Sequence, residues 1–232
     1  MSNRFMVVGN GLLARCFESY NNDDRFLIFA SGVSNSKTKN QEAYLRETLL
    51  LEKSIAEHPG KIIVYFSTCS VYDPDEKNSA YVKHKLNIEA AIQKSVPSYF
   101  IFRVSNVAGK SSNPNTLLNY FFHHIKNEIN FDLWANACRN IIDIDDVFSV
   151  ADEVLKNNPP SVNPINIASP FNYTVKEIVA AIECFLNVKS NYIEVDKGSC
   201  FEIELSVTQT IFQKKQTKTG AEYLASMFAK YF

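Results

Sequence analysis

Glycine is scarce in this chain, with seven in 232 residues. Two of them close together therefore mark a place where the backbone itself is needed. Charge of one sign is lacking too: the formal net charge is -1, without the clustered basic excess that nucleic-acid binding requires, so no nucleic-acid partner is expected. No apolar run approaches the roughly 18 residues that span a bilayer. Met1 to Val8 passes into an apolar strand without a basic region, an apolar helix and a cleavage site. A protein that stays in the cytoplasm with no membrane partner is expected. The five cysteines, Cys16, Cys69, Cys138, Cys184 and Cys200, contain no C-x-x-C pair, so no metal site is expected and free thiols in a reducing compartment are the simplest reading.

Hydrophobic residues make up 46% and charged residues 21%, ordinary usage for a globular protein. The length allows one large domain or a domain with a smaller lobe. Phe5 to Val8 is an apolar run ending at Gly9, and Leu12 to Tyr20 follows with helical spacing. Arg25 to Ala30 reads as a second buried strand, and Gln41 to Glu57 as an amphipathic helix with Tyr44, Leu45, Thr48, Leu49, Leu51 and Ile55 on its apolar side. Lys61 to Ser67 and Ser98 to Val104 are apolar on both faces, as in a parallel sheet covered on both sides. Tyr81 to Gln93 and Leu117 to Lys126 read as helices around a loop at Lys110 to Thr116. Ile141 to Val147 and Pro164 to Ala168 look like returns to the sheet, separated by a helix ending near Asn157, Asn158, Pro159 and Pro160. Thr174 to Leu186 is another helix, followed by an irregular tail to Phe232. The alternation predicts an α/β fold, a doubly wound parallel sheet of Rossmann type.

Gly9-Asn10-Gly11-Leu12-Leu13-Ala14 fits G-x-G-x-x-A between a strand and a helix. The first glycine permits the turn, the second lets backbone approach a pyrophosphate, and the small third residue packs helix on strand. A strand-to-helix turn without a ligand is the plain alternative. The acidic residue that commonly follows to hold the adenosine ribose is missing, since Phe29, Ala30, Ser31 and Gly32 occupy the expected region. Arg15 or Lys37 could instead meet a 2′-phosphate. The cofactor expected is NAD(P)H, with a lean to NADP.

Tyr81 and Lys85 stand four apart on a predicted helix, hence on one face. A nearby ammonium stabilises phenolate, so Tyr81 could shuttle a proton well below its reference pKa of about 10. The pattern also occurs by chance on helix surfaces. Upstream, Ser67, Thr68 and Ser70 form a hydroxyl-rich turn at the carboxyl end of the strongest strand, where ligands of open α/β sheets bind. Such hydroxyls also commonly close strand ends by local hydrogen bonds.

In this order these segments resemble the short-chain dehydrogenase/reductase superfamily, in its extended branch of sugar-nucleotide epimerases, dehydratases and ketoreductases. The likeness continues through Phe29 to Gly32, Arg103 to Gly109, Arg139 to Val147 and Asn166 to Ser169. It implies Thr68, Tyr81 and Lys85 as catalytic residues. Thr68 would bond the substrate oxygen, Tyr81 donate the proton, and Lys85 bind the nicotinamide ribose and lower the tyrosine pKa. It implies Gly9 to Leu13, Ala30, Ser31, Gly32, Tyr81 and Lys85 at the cofactor, and Thr68, Ser70, Asn106 and Arg139 at a nucleotide-sugar substrate. The dinucleotide-binding domain would comprise 1–108 and 138–168, and the substrate lobe 109–137 and 169–232. Gln41 to Glu57 and Tyr81 to Gln93 match helices that build a homodimer in many relatives, although their apolar residues would equally suit the sheet.

The chain departs from this branch in two places. The glycine turn is one residue tighter than G-x-x-G-x-x-G, and only Asn21 to Asp24 separate the first helix from the next strand, where the branch carries further strand and helix. Either the sheet has lost an edge or Arg25 to Ala30 is itself the second strand, with later units missing. Dehydratases of the branch place an acidic pair after the catalytic threonine; here Cys69 and Ser70 stand there. That leaves reduction of a nucleotide-activated 4-keto-6-deoxy sugar as the leading expectation, with an NAD-retaining 4-epimerase as the alternative. A non-catalytic nucleotide-sensing or scaffold protein is the reading from another class.

Overall fold

Phe26 and Ile28 turn to one side of their strand and Leu27 and Phe29 to the other, and all four are buried. That alternation runs through the central sheet of the computed structural model, which describes residues 6–160, 163–215 and 220–232. The sheet comprises β1 (Val7–Val8), β2 (Phe26–Phe29), β3 (Ile62–Thr68), β4 (Tyr99–Val104) and β8 (Ile165–Ile167), all parallel, in the order β1-β2-β3-β4-β8. Phe5, where the first strand was expected to begin, lies outside the described residues.

Two helices cover the face carrying Leu27, Phe29, Ile63, Tyr65 and Ile101: α2 (Gln41–Glu57) through Leu51, and α3 (Ala80–Ser95) through Ile88 and Ile92. The opposite face, with Phe26, Ile28, Val64, Phe66 and Phe102, meets α1 (Leu12–Cys16) and the 3-10 turn Glu18–Asn22 through Ala14, Phe17 and Tyr20. On the same side packs α5 (Ile144–Asn157), against α1 and β8, while α4 (Leu117–Lys126) and α6 (Val175–Leu186) pack on each other and extend the same core. Burying both faces is why the strands read as continuous apolar runs.

Each step along this sheet runs in one direction, yet α1 lies on one face and α2 and α3 on the other. The β1-α1-β2 crossover is therefore of opposite hand to the two that follow. A crossover of the common hand over α1 would lead outward, to a strand beyond β1. Instead the helix expected over Leu12 to Tyr20 stops at Cys16. The 3-10 turn then folds the chain back, with Phe17 and Tyr20 both in the core. The outward N–H of Val7 donates to Asn21 Oδ1 at 3.0 Å, so a side chain takes the place of a further strand. Among the described residues the sheet ends at β1: it has lost an edge.

The remaining strands form smaller sheets. In one, β7 (Cys138–Asp143) lies between β5 (Asn106–Ala108) and β9 (Asn172–Thr174); in the other, β6 (Phe131–Trp134) pairs with β10 (Tyr192–Val195). The strand expected over Ile141 to Val147 ends sooner, because Asp143 caps α5 by accepting from Asp145 N at 2.9 Å and Asp145 and Asp146 suit the positive helix start. The tail is regular rather than irregular. It contains β10, α7 (Ser206–Lys215) and α8 (Gly220–Tyr231), and α8 is tied to the α5 start by Tyr223, whose hydroxyl accepts from Asp143 N and donates to Asp146.

Cys138 and Cys200 form a disulfide across 62 residues, so the expectation of five free thiols holds only for Cys16, Cys69 and Cys184. The segment after β10 runs beside β7, with Cys138 N donating to Ser199 O, and so separated a pair carries no spacing signal. This removes the cysteine argument for a reducing compartment. Among the described residues, no helix is long and apolar enough to cross a membrane.

Candidate active site

The carboxyl ends of β2, β3 and β4 open onto a cleft of about 1000 Å³. The expected site residues line it together: Asn10 to Leu13, Ala30 to Gly32, Thr68, Ser70, Tyr81, Lys85, Asn106 and Arg139. Gly9 is set back from it. Its φ of +133° and the 2.5 Å that would separate an added Cβ from Ala30 O explain the glycine by the close approach of β1 to β2. At Gly11 an added Cβ would meet nothing within 4 Å, which leaves bare backbone facing the cleft.

Thr68 ends β3 and caps the 3-10 turn Cys69–Tyr72. Its Oγ1 accepts from Ser70 N at 3.1 Å and donates to Ser70 Oγ at 3.0 Å. Tyr81 and Lys85 lie one turn apart on α3, whose start is capped by Ser79 accepting from Val82 N. Burial, opposed by the neighbouring Thr68 hydroxyl, pushes the Tyr81 phenol up to about 12. This reverses the expectation of a Tyr81 acidified by Lys85. The lysine Nζ stands 6.0 Å from the Tyr81 ring centre and is turned to Glu47 Oε1 at 3.0 Å, Tyr65 Oη at 3.0 Å and Phe66 O at 3.3 Å. Its ammonium is paired with a buried carboxylate, which offsets part of its charge at the phenol.

Glu47 was not expected. The stripe read from the sequence runs through Tyr44, Leu45, Thr48, Leu49, Leu51 and Ile55, whereas α2 buries Tyr44, Glu47, Leu51 and Ser54 and leaves Leu45 and Leu49 more than half exposed. The steps from Tyr44 to Glu47 to Leu51 are the signal that could have found it.

A second unforeseen network holds the hydroxyl turn. Arg103 grips Glu89 with Nε and Nη2 at 3.0 and 2.6 Å and donates to Tyr72 Oη, while Ser67 Oγ donates to Glu89 and Tyr72 Oη to Asn166. Both carboxylates lie on helices covering β3 and accept from its hydroxyls, Glu47 from Tyr65 and Glu89 from Ser67.

Of the residues expected at the substrate, Arg139 donates to Cys138 O at 2.7 Å and stands 3.8 Å from the buried Asp73 carboxylate. Asn106 is exposed and spends its amide on Asn140 O. At the adenosine end Arg15 is committed to Asn10 O and Lys110 O, and Lys37 lies over the Tyr120 ring. On the outer side of Ala30 to Gly32, Arg46 donates to Ser31 O and Oγ.

A parallel sheet with a glycine turn after β1 and a threonine, tyrosine and lysine at its carboxyl edge defines a nucleotide-binding fold of Rossmann type. The chain belongs to the NAD dependent epimerase/dehydratase family, whose model matches residues 13–168. It is thereby an NAD(P)-dependent enzyme. The matched stretch carries Thr68, Tyr81, Lys85, Asn106 and Arg139 and begins just after Gly9 and Gly11.

No curated protein matches the chain in sequence. Among solved structures, RMD from Pseudomonas aeruginosa complexed with NADPH superposes with a TM-score of 0.65 at 12% identity over 87% of this chain and 79% of that one. UDP-glucuronic acid 4-epimerase from Bacillus cereus, in complex with UDP-glucuronic acid and NAD, gives 0.67 at 17% identity over 95% and 78%. WbmG from Bordetella bronchiseptica, in complex with NAD, gives 0.68 at 15% over 94% and 75%. At these identities the likeness is one of fold.

Proposed function

We propose that the protein reduces the keto group of a nucleotide-activated 4-keto-6-deoxy sugar, using NAD(P)H. The observation that carries this reading is that Thr68, Tyr81 and Lys85 line one cleft, with no carboxylate at the two positions after Thr68. Burial raises the Cys69 thiol to about 12, and its Sγ donates to Arg103 O, so it offers no acid-base group for removing water. A phenol held neutral is suited to giving its proton to a carbonyl oxygen.

The backbone of Gly9 to Leu13 would hold the cofactor pyrophosphate, Ala30 to Gly32 would line the cofactor beside it, and Tyr81 and Lys85 would meet the nicotinamide ribose. Bare backbone at Gly11 and the size of the cleft fit that group. The chemistry a reduced cofactor would supply there is hydride donation to the carbonyl carbon. Thr68 orients the oxygen, Tyr81 delivers the proton, and the buried ammonium of Lys85 steadies the charge left behind. Because the sheet ends at β1, the adenosine end meets Arg46 instead of a strand-end carboxylate, which supports NADP.

Asn106 and Arg139 would face the nucleotide diphosphate from the border between the dinucleotide-binding part (1–108 and 138–168) and the substrate lobe (109–137 and 169–232). The exposed Leu45 and Leu49 of α2 and Leu86 of α3 are what a homodimer face would use.

The test is turnover of dTDP-, GDP- and UDP-linked 4-keto sugars with NADPH or NADH, followed by loss of absorbance at about 340 nm. Tyr81→Phe should lower kcat by about 10²–10⁴-fold without altering the fold. Retained turnover in that variant refutes the reading. Interconversion of a sugar-nucleotide pair with no net cofactor consumption replaces it by a 4-epimerase, and nicotinamide binding without turnover of any substrate replaces it by a nucleotide sensor.

A further inference from the structure

Glu47 is completely buried, and its carboxylate is shared among three elements. Oε2 accepts from Val33 N at 2.7 Å, in the segment after β2, and meets His84 Nε2 at 3.0 Å. Oε1 accepts from Tyr65 Oη at 2.7 Å, on β3, and from Lys85 Nζ at 3.0 Å, on α3. The ion pair lies directly under Gly32, where an added Cβ would stand 2.5 Å from Lys85 Nζ and 3.0 Å from Glu47 Oε1. One side chain of α2 thus ties Val33, just after the Ala30 to Gly32 segment, to Lys85.

Packing alone does not require a carboxylate here. Buried ion pairs are commonly matched or bettered in stability by apolar residues of similar volume, whereas a buried charge left without its partner is strongly disfavoured. Lys85 is 3% exposed. Burial holds it below the ordinary lysine range, opposed chiefly by Glu47 and less by Glu89. The titratable groups facing the pair are Tyr44 on α2, Tyr65 on β3, and Tyr81, His84 and Glu89 on α3. Tyr65 is held neutral by burial and by Glu47, so it serves as a donor. His84 stacks on Tyr44 at 4.6 Å between ring centres.

From this geometry we infer that Glu47 is a positioning residue of the active site, holding Lys85 as a fixed ammonium against the Ala30 to Gly32 segment. The charge available to Tyr81 and to a bound ribose is then set from α2, a helix that carries none of the three catalytic side chains. The inference takes the role of Lys85 from the proposed reduction, but the state of Lys85 can be measured without any reaction.

The experiment compares wild type, Glu47→Gln, Lys85→Met and the double variant. Reductively ¹³C-methylated lysines are followed by NMR against pH, and Lys85→Met assigns the resonance of Lys85. In Glu47→Gln, Lys85 should lose its proton roughly one to three pH units lower than in wild type; identical titrations overturn the inference. The alkaline limb of the kcat profile should move down with it. Adding Glu47→Gln to Lys85→Met should change kcat little, whereas an undiminished effect in that background marks a carboxylate acting apart from Lys85 and overturns the inference. If Glu47→Gln fails to fold by circular dichroism, Glu47→Asp keeps the charge at shorter reach and should lower the Lys85 titration by a smaller amount. A chain that folds with neither Gln nor Asp overturns the inference in favour of a purely structural carboxylate. Wild type that reduces no keto sugar defeats the proposed function, while the NMR arm still decides on Glu47.

Discussion

Gly32→Ala probes the site through a single methyl group. An added Cβ would stand 2.5 Å from Lys85 Nζ and 3.0 Å from Glu47 Oε1, the first far inside van der Waals contact. The φ of Gly32 lies outside the left-handed region, so any effect is one of space and not of backbone strain. The lysine tip is flexible, but it can withdraw only by loosening its bonds to Glu47, Tyr65 and Phe66 O, and Glu47 is pinned by Val33 N and Tyr65. Overpacking costs about 1–3 kcal/mol, and complete rupture of a buried pair about 3–5 kcal/mol, so a loss of about 2–4 kcal/mol is expected. For a chain of this length about 2–4 °C is lost per kcal/mol, giving a Tm lower by roughly 4–16 °C by circular dichroism. Lys85→Ala removes the obstructing tip, so Gly32→Ala should cost much less in that background, a coupling that a double-mutant cycle reads directly. A Gly32→Ala melt within about 1 °C of wild type would refute the placement of the pair beneath the cofactor segment.

Gly9→Ala should be worse tolerated, because the obstruction is Ala30 O at 2.5 Å and φ is +133°; strain of about 1–3 kcal/mol plus the clash should appear as a reduced urea midpoint. Asn21→Ala removes the acceptor of the Val7 N–H and should cost about 1 kcal/mol, with faster hydrogen exchange at Val7. Glu47 supplies an acid-side test. Burial acts to raise its carboxyl, but the His84 bond, the Lys85 charge and the donors Val33 N and Tyr65 outweigh it and hold it at about 2 against an ordinary 4.5. A depressed carboxyl gives stability that is complete above about 4.5 and lost as pH falls toward 2. The pH dependence of the urea midpoint across that window should therefore be shallower in Glu47→Gln than in wild type.

The two halves of the fold were not equally legible. Gln41–Glu57 and Leu117–Lys126 have the bounds read from their periodicity, and the two-faced strands β3 and β4 announce a covered parallel sheet. Thr68, Tyr81, Lys85 and the glycine turn were readable because each lies at a strand end or on one helix face, where spacing of a few residues dictates direction. Ile144 beginning a helix was missed because Ile141 to Val147 is apolar enough for a strand, and the Asp143 cap outweighed the pattern.

By itself, the sequence determined the strands and helices whose periodicity is strong, the order in which they alternate, and which side chains stand at strand ends. Those are local matters of backbone geometry and of the spacing between neighbours. Tertiary structure decided where the sheet stops, because Asn21 reaches Val7 only after the chain has turned back. It chose the buried face of α2, exposing Leu45 and Leu49 while enclosing Glu47, and it paired Cys138 with Cys200 across two unrelated segments. Above all it turned Lys85 from Tyr81 to Glu47. A lysine four residues from a tyrosine shares its helix face, but the direction of its charge is settled by the carboxylate that a different helix brings to it.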